Sequence, residues 1–276
     1  MKRLGAIVLA ALLLVPSVYP AHAHAAVDAT PAITVKVDDQ LQTFDQPPVV
    51  LNGRTMVPVR SLLETLGATV TWSDETQTVS VMRYTTKGLI SVVLKVGYPE
   101  AAVNEVRVGL DQAPEIINGR TMVPLRFVSE SMRAAVTWTE VTKTVEIYSL
   151  DYQLFLSSLR GHVDLVDKMI SLGANPNYRN PIRGGTPLTA AALSGHSDVI
   201  TLLLDNGANI NAQDTPGYSA LMMAVDDGDL ELSTMLLGRG ANPNLKSTAG
   251  ITALQIARHH QNHGLIELLQ NSGALE

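Results

Sequence analysis

The chain contains no cysteine, which excludes disulfides and thiolate chemistry from its fold and function. It is also poor in aromatic residues, at 4%, and in charged residues, at 17%, whereas 46% of its residues are hydrophobic. Its cores must therefore be built mainly from aliphatic side chains and methionine. The net charge of -6, without a cluster of Lys and Arg, argues against nucleic acid as a partner, because phosphate binding needs such a cluster. A length of 276 residues suits two compact domains.

Residues 1–25 have the pattern of a secretory signal peptide. Lys2 and Arg3 form a basic start, residues 7–15 form an apolar run, and alternating alanines in residues 21–25 offer a cleavage site. The apolar run is too short for a comfortable membrane-spanning helix, although an uncleaved N-terminal anchor is the alternative. We therefore expect an exported protein, secreted or at the cell surface, with no membrane span after cleavage.

The first half of the chain contains one unit twice. Residues 52–60 return as residues 118–126 with a single Val-to-Leu change, at an offset of 66 residues. The same offset carries the Val-Thr-Trp of residues 70–72 onto residues 136–138. An unbroken offset over separate blocks indicates a duplicated structural unit.

Each unit is predicted to be mostly strand with one short helix. An Asn-Gly pair at residues 52 and 53 predicts a tight hairpin, and Gly67 stands where a helix would end. The second copy has Arg133 in place of Gly67, so its helix is predicted to end with a less relaxed cap. In the first copy we predict strands at residues 49–51, 55–57, 69–72 and 78–82 and a helix at residues 61–66, with further strands between the copies at residues 90–96 and 103–108.

The repeated Asn-Gly-Arg-Thr-Met-Val-Pro-(Val/Leu)-Arg block, followed by Val-Thr-Trp, resembles the stalk domain also called copper amine oxidase N-terminal-like. The resemblance covers about residues 33–149. It implies an exported protein of a Gram-positive bacterium, in which the module accompanies varied partner domains. It does not imply oxidase activity, because the chain has seven His in total and no length left for a large catalytic domain.

The second half repeats every 33 residues. Leu188, Leu221 and Leu254 are in step, as are the Gly-Ala-Asn triplets at residues 207–209 and 240–242. With Thr-Pro-Leu, Ala-Ala and Gly-His at the matching positions, residues 151–276 resemble ankyrin repeats, whose period is 33. Ankyrin arrays usually show His after Thr-Pro-Leu, and the residues at that place here are Thr189, Met222 and Gln255. This departure puts the usual hydrogen bonding between repeats in doubt, but not the fold.

The predicted architecture is multidomain. A signal peptide at residues 1–25 precedes an α+β stalk domain at residues 27–149, built from two copies of one unit. An all-α ankyrin solenoid follows at residues 150–276, with four repeats of which the last is abbreviated. No Gly-, Ser- or Pro-rich linker separates the two domains, which predicts limited freedom between them.

Ankyrin arrays offer a concave surface made by the hairpin tips and the exposed ends of the first helices, and this is the predicted partner-binding surface. Residues 151–276 hold seven Lys and Arg against twelve Asp and Glu, which favours a basic or neutral protein partner. The tips span residues 178–183, 213–216 and 246–249. The candidate residues are Leu193, Ser194, Asp226, Asp227, His259 and His260 at the helix ends, and Tyr178, Arg179, Gln213, Asp214 and Lys246 at the tips.

No metal, cofactor or catalytic site is predicted. His259, His260 and His263 invite a metal hypothesis, but the repeat register places His263 in a turn and no cysteine completes a closed zinc site. Asp226, Asp227 and Asp229 lack the ordered oxygen ligands of a calcium loop. Nucleophile elbows, phosphate loops and dinucleotide fingerprints are also missing from the sequence.

Trp72 and Trp138 could stack on sugar rings of the cell wall, but their equivalent strand positions favour a core role. Arg54, Arg60, Arg120 and Arg126, listed together, are interpreted as structural partners of carboxylates or carbonyls. The favoured function is non-catalytic binding of a protein partner by the ankyrin array, positioned at the cell envelope by the stalk domain. The alternative is binding of a cell-wall polymer by the stalk domain, with the ankyrin array as a spacer; an enzyme would need a pocket of converging ionisable groups.

Overall fold

Strands fill the first half of the described chain, and helices fill the second. The computed structural model describes residues 33–275. The predicted signal segment lies outside these residues. The strands are β1 Thr34–Val37, β2 Gln40–Leu41, β3 Val49–Leu51, β4 Arg54–Pro58, β5 Thr69–Ser73, β6 Thr78–Thr85, β7 Gly88–Lys95, β8 Glu100–Val103, β9 Val106–Gly109, β10 Glu115–Ile117, β11 Arg120–Pro124, β12 Ala135–Thr139 and β13 Thr144–Tyr148. The helices are α1 Val59–Thr65, α2 Leu125–Ser131, α3 Leu150–Leu159, α4 Val163–Ser171, α5 Pro187–Leu193, α6 Ser197–Asp205, α7 Ala220–Asp226, α8 Leu230–Gly238, α9 Ala253–His259 and α10 His263–Asn271.

The two copies of the 66-residue unit meet through an antiparallel pair of strands. β4 and β11 are the central neighbours in a sheet of order β10-β11-β4-β3. Val57 lies opposite Val123, its own counterpart 66 residues later. Met56 lies opposite Pro124, and Pro58 lies opposite Met122. The register is therefore symmetric about the valine pair, and a pseudo-twofold axis relates the copies at this point.

The duplication extends beyond the blocks that show it in the sequence. β1 and β2 form a hairpin whose turn residues, Asp38 and Asp39, have φ of 49° and 63°. At an offset of 66, β8 and β9 form a hairpin around Asn104 and Glu105, with φ of 48° and 70°. The prediction of one strand over residues 103–108 was therefore wrong, because two successive left-handed residues turn the chain back on itself.

β7 is the element that distinguishes the two copies. In the sheet of order β5-β6-β7-β8-β9, β7 lies between β6 and the hairpin. In the sheet of order β12-β13-β1-β2, β13 pairs directly with β1, in parallel. The inner faces of both sheets share one core with α1 and α2, which contribute Leu62, Leu63 and Val128 among its fully buried side chains. Burial of these aliphatic groups is the main stabilising contribution in a domain without disulfides.

The ends of α1 and α2 differ as the sequence predicts. Gly67 follows the end of α1 with φ of 77°, and Arg133 takes the same left-handed conformation at φ of 62°. A side chain in that conformation carries a steric cost that glycine avoids. The guanidinium of Arg133 donates to the carbonyl oxygen of Leu172 at the end of α4. The residue that departs from the repeat therefore contacts the helical half of the chain.

The helical half is a stack of antiparallel helix pairs. The first helices, α3, α5, α7 and α9, pack on one another more closely than the second helices do. Their contact faces are rich in small, buried side chains such as Ala191, Ala220 and Ala257, which allow the close approach. The last pair, α9 and α10, has helices of the same length as the two pairs before it.

The residues that replace the usual His hold the helix starts instead. Thr189 closes a capping box with Thr186, and Gln255 closes one with Thr252. Met222 is buried in the core of the array. Hydrogen bonds between repeats come from asparagines: Asn177 Nδ2 donates to Gly207 O at 2.9 Å, an arrangement repeated further along the stack. The array thus satisfies the orphan backbone groups at both kinds of helix end.

The strand half and the helical half are joined by buried polar contacts. Arg83 on β6 donates from Nη1 to Met132 O at 2.9 Å and from Nη2 to Asp151 Oδ2 at 2.8 Å. Both side chains of this ion pair are largely buried, with exposures of 7% and 19%. Asp151 Oδ1 also accepts from the backbone N–H of Asn175, at 2.7 Å. One carboxylate therefore ties β6 to the first helix pair.

A second contact lies at the start of α3. Ser149 caps this helix through a bond from Tyr152 N to its Oγ. The same residue donates from its N–H and its hydroxyl to Asp38, at 2.7 and 2.6 Å. The first ankyrin helix therefore begins on the β1–β2 turn, which confirms that freedom between the two halves is limited.

The buried ion pair predicts a large loss of stability on substitution. Arg83→Met would leave the Asp151 carboxylate without its cation and the Met132 carbonyl without its donor, and should lower the free energy of unfolding by about 3 kcal/mol or more. Arg54→Met is the matched control, because Arg54 and Asp111 also lie 2.8 Å apart but with exposures of 52% and 70%. It should cost less than about 1 kcal/mol. Urea unfolding of both variants measures this difference, and equal losses would contradict the assignment of Arg83 as the main tie.

Candidate functional site

The predicted helix-end residues lie together on the surface of the stack. All are exposed, and they occupy equivalent places where the first helices end, because the repeats superpose at 33-residue intervals. Arg160, which the sequence analysis did not name, occupies the same place after α3 and is also exposed. The irregular offset of 34 between the first two repeats would have located it. We call this set the helix-end row: Arg160, Leu193, Ser194, Asp226, Asp227, His259 and His260.

The row changes chemical character from repeat to repeat. It begins with a guanidinium at Arg160, continues with Leu193, which is 55% exposed, and passes to a pair of carboxylates. His260 Nε2 lies 2.9 Å from Asp226 Oδ1, and this contact joins neighbouring repeats across the row. The ring of His259 lies edge-on to that of His260, with centroids 5.4 Å apart. The row therefore offers a cation, an apolar patch, acids and imidazoles in a fixed order.

The hairpin tips form a hydrogen-bonded ladder beside the row. Arg179 Nη2 donates to Gln213 O at 2.9 Å, and Gln213 Nε2 donates to Lys246 O at 2.9 Å. Backbone bonds of the same kind run from Thr215 N to Arg183 O and from Thr248 N to Pro216 O. The side chains of Arg179 and Gln213 are thus used within the array, whereas Lys246 is exposed. Asp214 accepts from Tyr218 N at 2.7 Å and stabilises its own tip.

Tyr178 was predicted at a tip but lies half-buried at the junction. Its ring packs edge-on to Tyr152, with centroids 6.4 Å apart, and its hydroxyl faces Asp38. The first tip differs from the others because the strand half lies against it. Tyr178 therefore contributes to the junction and is not part of the exposed surface.

The junction contains the most perturbed ionisable groups of the described residues. Burial raises the pKa of the Asp38 carboxyl, and the bonds from Ser149 offset this only in part. Burial also raises the pKa values of Tyr152 and Tyr178, with the nearby carboxylates of Asp39 and Asp38 adding to the shift. These phenols stay protonated and donate hydrogen bonds. The cluster holds the two halves together and contains no nucleophile.

The two tryptophans differ from the expectation of a core role. Trp138 is 38% exposed, and Trp72 packs on the edge of the core while remaining half-buried. Two of the repeated arginines are confirmed as partners of carboxylates, because Arg54 pairs with Asp111 and Arg120 pairs with Asp45. Arg60 lies 3.9 Å from Glu64 on its own helix.

Among residues 33–275, no three His, Cys, Asp or Glu side chains lie together in a way that could hold a metal ion. His263 stands at the start of α10, one turn of chain beyond α9, where Asn262 caps the helix. Nor does that part of the chain contain a helix that is long and apolar enough to cross a membrane.

Comparison with known proteins identifies both halves. Residues 36–147 match the family described as copper amine oxidase N-terminal domain, and residues 154–247 match ankyrin repeats in three copies. The catalytic domain of copper amine oxidase is not matched. A curated protein named "Protease inhibitor", from Brevibacillus choshinensis, is 33% identical over 120 residues, which are 42% of this chain and 35% of that relative. The chain thus spans about a third of that relative's length. It carries a copper amine oxidase N-terminal domain followed by ankyrin repeats.

Proposed function

We propose that the chain is a non-catalytic protein that binds a protein partner through the helix-end row. The observation that carries this proposal is the exposure of chemically unlike side chains at one repeated position. The first helices of an array need their buried faces for stacking, but the residues at their exposed ends are free to vary. Here these positions hold Arg160, Leu193, a carboxylate pair and an imidazole pair. Such variation at constant geometry suits recognition of a specific partner.

The charges of the row favour a partner with a basic or neutral contact surface. Asp226 and Asp227 lie at its centre, both exposed, in the acidic half of the chain. Leu193 supplies an apolar contact one repeat away. A protease is one candidate partner, because the Brevibacillus relative is named a protease inhibitor. The match covers only part of that relative, and nothing in the row resembles a substrate for cleavage.

We further propose that the protein is exported and that the stalk domain positions the array at the envelope of a Gram-positive bacterium. The signal-like residues 1–25 and the absence of cysteine support export. The buried contacts of Arg83 and Ser149 support a stalk that holds the array in a fixed orientation.

Charge reversal in the row should abolish partner binding. The double substitution Asp226→Lys and Asp227→Lys replaces the central acids by cations, and should weaken retention of the partner from envelope extract by about tenfold or more. The measurement is affinity capture on the full chain, because the two halves share buried contacts. Purified bacterial proteases form a separate arm.

The matched control is Asp164→Lys with Asp167→Lys, which makes the same charge change at exposed positions of the second helix α4. This control should retain the partner. Loss of capture by both double variants would indicate a general charge effect, and retention by both would remove the row from the proposal.

Export predicts a defined mature N-terminus. Cleavage after Ala23 or Ala25 would give a chain that begins at residue 24 or residue 26. Mass spectrometry of the protein from culture supernatant and cell-wall fractions of an expressing Gram-positive host measures this. Ala23→Glu with Ala25→Glu should block cleavage and retain the precursor in the membrane fraction. A wild-type protein found with Met1 in the membrane fraction would support the uncleaved anchor instead.

A further inference from the structure

The strand half contains two clefts that are related by the duplication. Their volumes are about 590 and 720 Å³. Except for Gln77, each residue that lines the first cleft has its counterpart, at an offset of 66, in the lining of the second. The correspondence includes Trp72 with Trp138 and Asp74 with Glu140. The clefts are thus two copies of one site, formed where two copies of one unit pack about the β4–β11 pair.

Each cleft is assembled from both copies. The first takes Trp72 and Arg60 from the first copy and Arg120 and Ile116 from the second. In the second cleft these roles are exchanged, as the pseudo-twofold axis requires, and are filled by Trp138, Arg126, Arg54 and Val50. A single unit would contain only half of either lining. The cleft is therefore a product of the pairing of the copies.

The polar wall of each cleft is held in place before any ligand arrives. In the first cleft, Arg120 Nε donates to Asp45 Oδ2 at 2.5 Å, and this bond holds the pKa of Asp45 below its usual range. In the second cleft, Arg54 Nε donates to Asp111 Oδ2 at 2.9 Å. A paired guanidinium and carboxylate present donors and acceptors in one fixed plane. A site that is organised in advance loses less freedom on binding.

The opposite wall is apolar. The indole Nε1 of Trp72 donates to Asp74 Oδ1, and that of Trp138 donates to Glu140 Oε2, both at 2.7 Å, so each ring is held in one orientation. Ile116 is 49% exposed in the first cleft, and its counterpart is 58% exposed in the second. An aromatic ring with a free aliphatic group across a cleft can contact the apolar face of a ring-shaped ligand.

The charges of the clefts select an uncharged ligand. In the first cleft Arg60 and Arg120 are balanced by Asp45 and Asp74, and the second has an additional carboxylate, Glu130. Neither lining has the excess of cations that a phosphate or carboxylate ligand needs. A sugar ring has an apolar C–H face and a rim of hydroxyl groups, which match the apolar wall and the polar wall respectively. We propose that the strand half binds uncharged oligosaccharide at two equivalent sites per chain, one at Trp72 and one at Trp138.

The chain contains two tryptophans, one in each cleft, so their fluorescence reports each site separately. Trp72→Phe and Trp138→Phe each leave a single reporter. Titration of either single-tryptophan protein with chitotetraose or cellotetraose should change its emission. Isothermal titration should give two sites for the wild type. Trp72→Ala and Trp138→Ala should each weaken one site by about tenfold and leave the other intact.

Tyr84→Ala is the control, because Tyr84 is an aromatic residue on β6 that is 80% exposed and lines neither cleft. It should leave both sites unchanged. Thermal unfolding of every variant separates loss of binding from loss of fold. Three results would each overturn the proposal: neither sugar binds, binding survives in the Trp72→Ala, Trp138→Ala double variant, or a proline-rich peptide binds the clefts while both sugars do not.

Discussion

The antiparallel pairing of β4 with β11 is the contact on which the strand half depends. It brings two copies of one unit together about Val57 and Val123, and the flanking residues exchange partners symmetrically. Side chains from each copy then reach the other: Asn52 Nδ2 donates to Gln112, and Asn118 Nδ2 donates to Gln46. The sheets, the shared aliphatic core and the two clefts all lie on either side of this pair. A domain without disulfides thus gains a core that neither unit could bury alone.

The helical half depends on the strand half in turn. Terminal repeats of an array expose an apolar face unless something covers it. Here Ser149, Asp151 and Tyr152 at the start of α3 are bonded to residues of the strand half. The strand half therefore takes the place of an N-terminal capping repeat. The departure of Arg133 from the glycine of the first copy follows the same logic, because its guanidinium reaches α4.

Much of this architecture follows from the sequence, because its signals are local. Asn-Gly turns fix hairpins, and the 33-residue period fixes the position of each helix pair. The pairing of β1 with β13 could not be predicted, since it joins residues 110 positions apart through backbone bonds that carry no sequence signature. The offset of 66 predicts that Trp72 and Trp138 share an environment, but not that this environment is a cleft. Similarly, the repeat register places Tyr178 at a tip, while the adjacent domain decides that it is covered.

The parallel pairing of β1 with β13 has a mechanical consequence. Thr34 lies beside Thr144 at one end of the pair, and Val37 lies beside Ile147 at the other. A pull transmitted from the N-terminal side of β1 to the helices after β13 would act on opposite ends of two adjacent parallel strands. Tension would then load the hydrogen bonds of the pair together, in shear, and would not open them one at a time. Rupture under force is governed by the rate of unfolding, so this geometry is suited to a domain that carries load between an attachment point and an array.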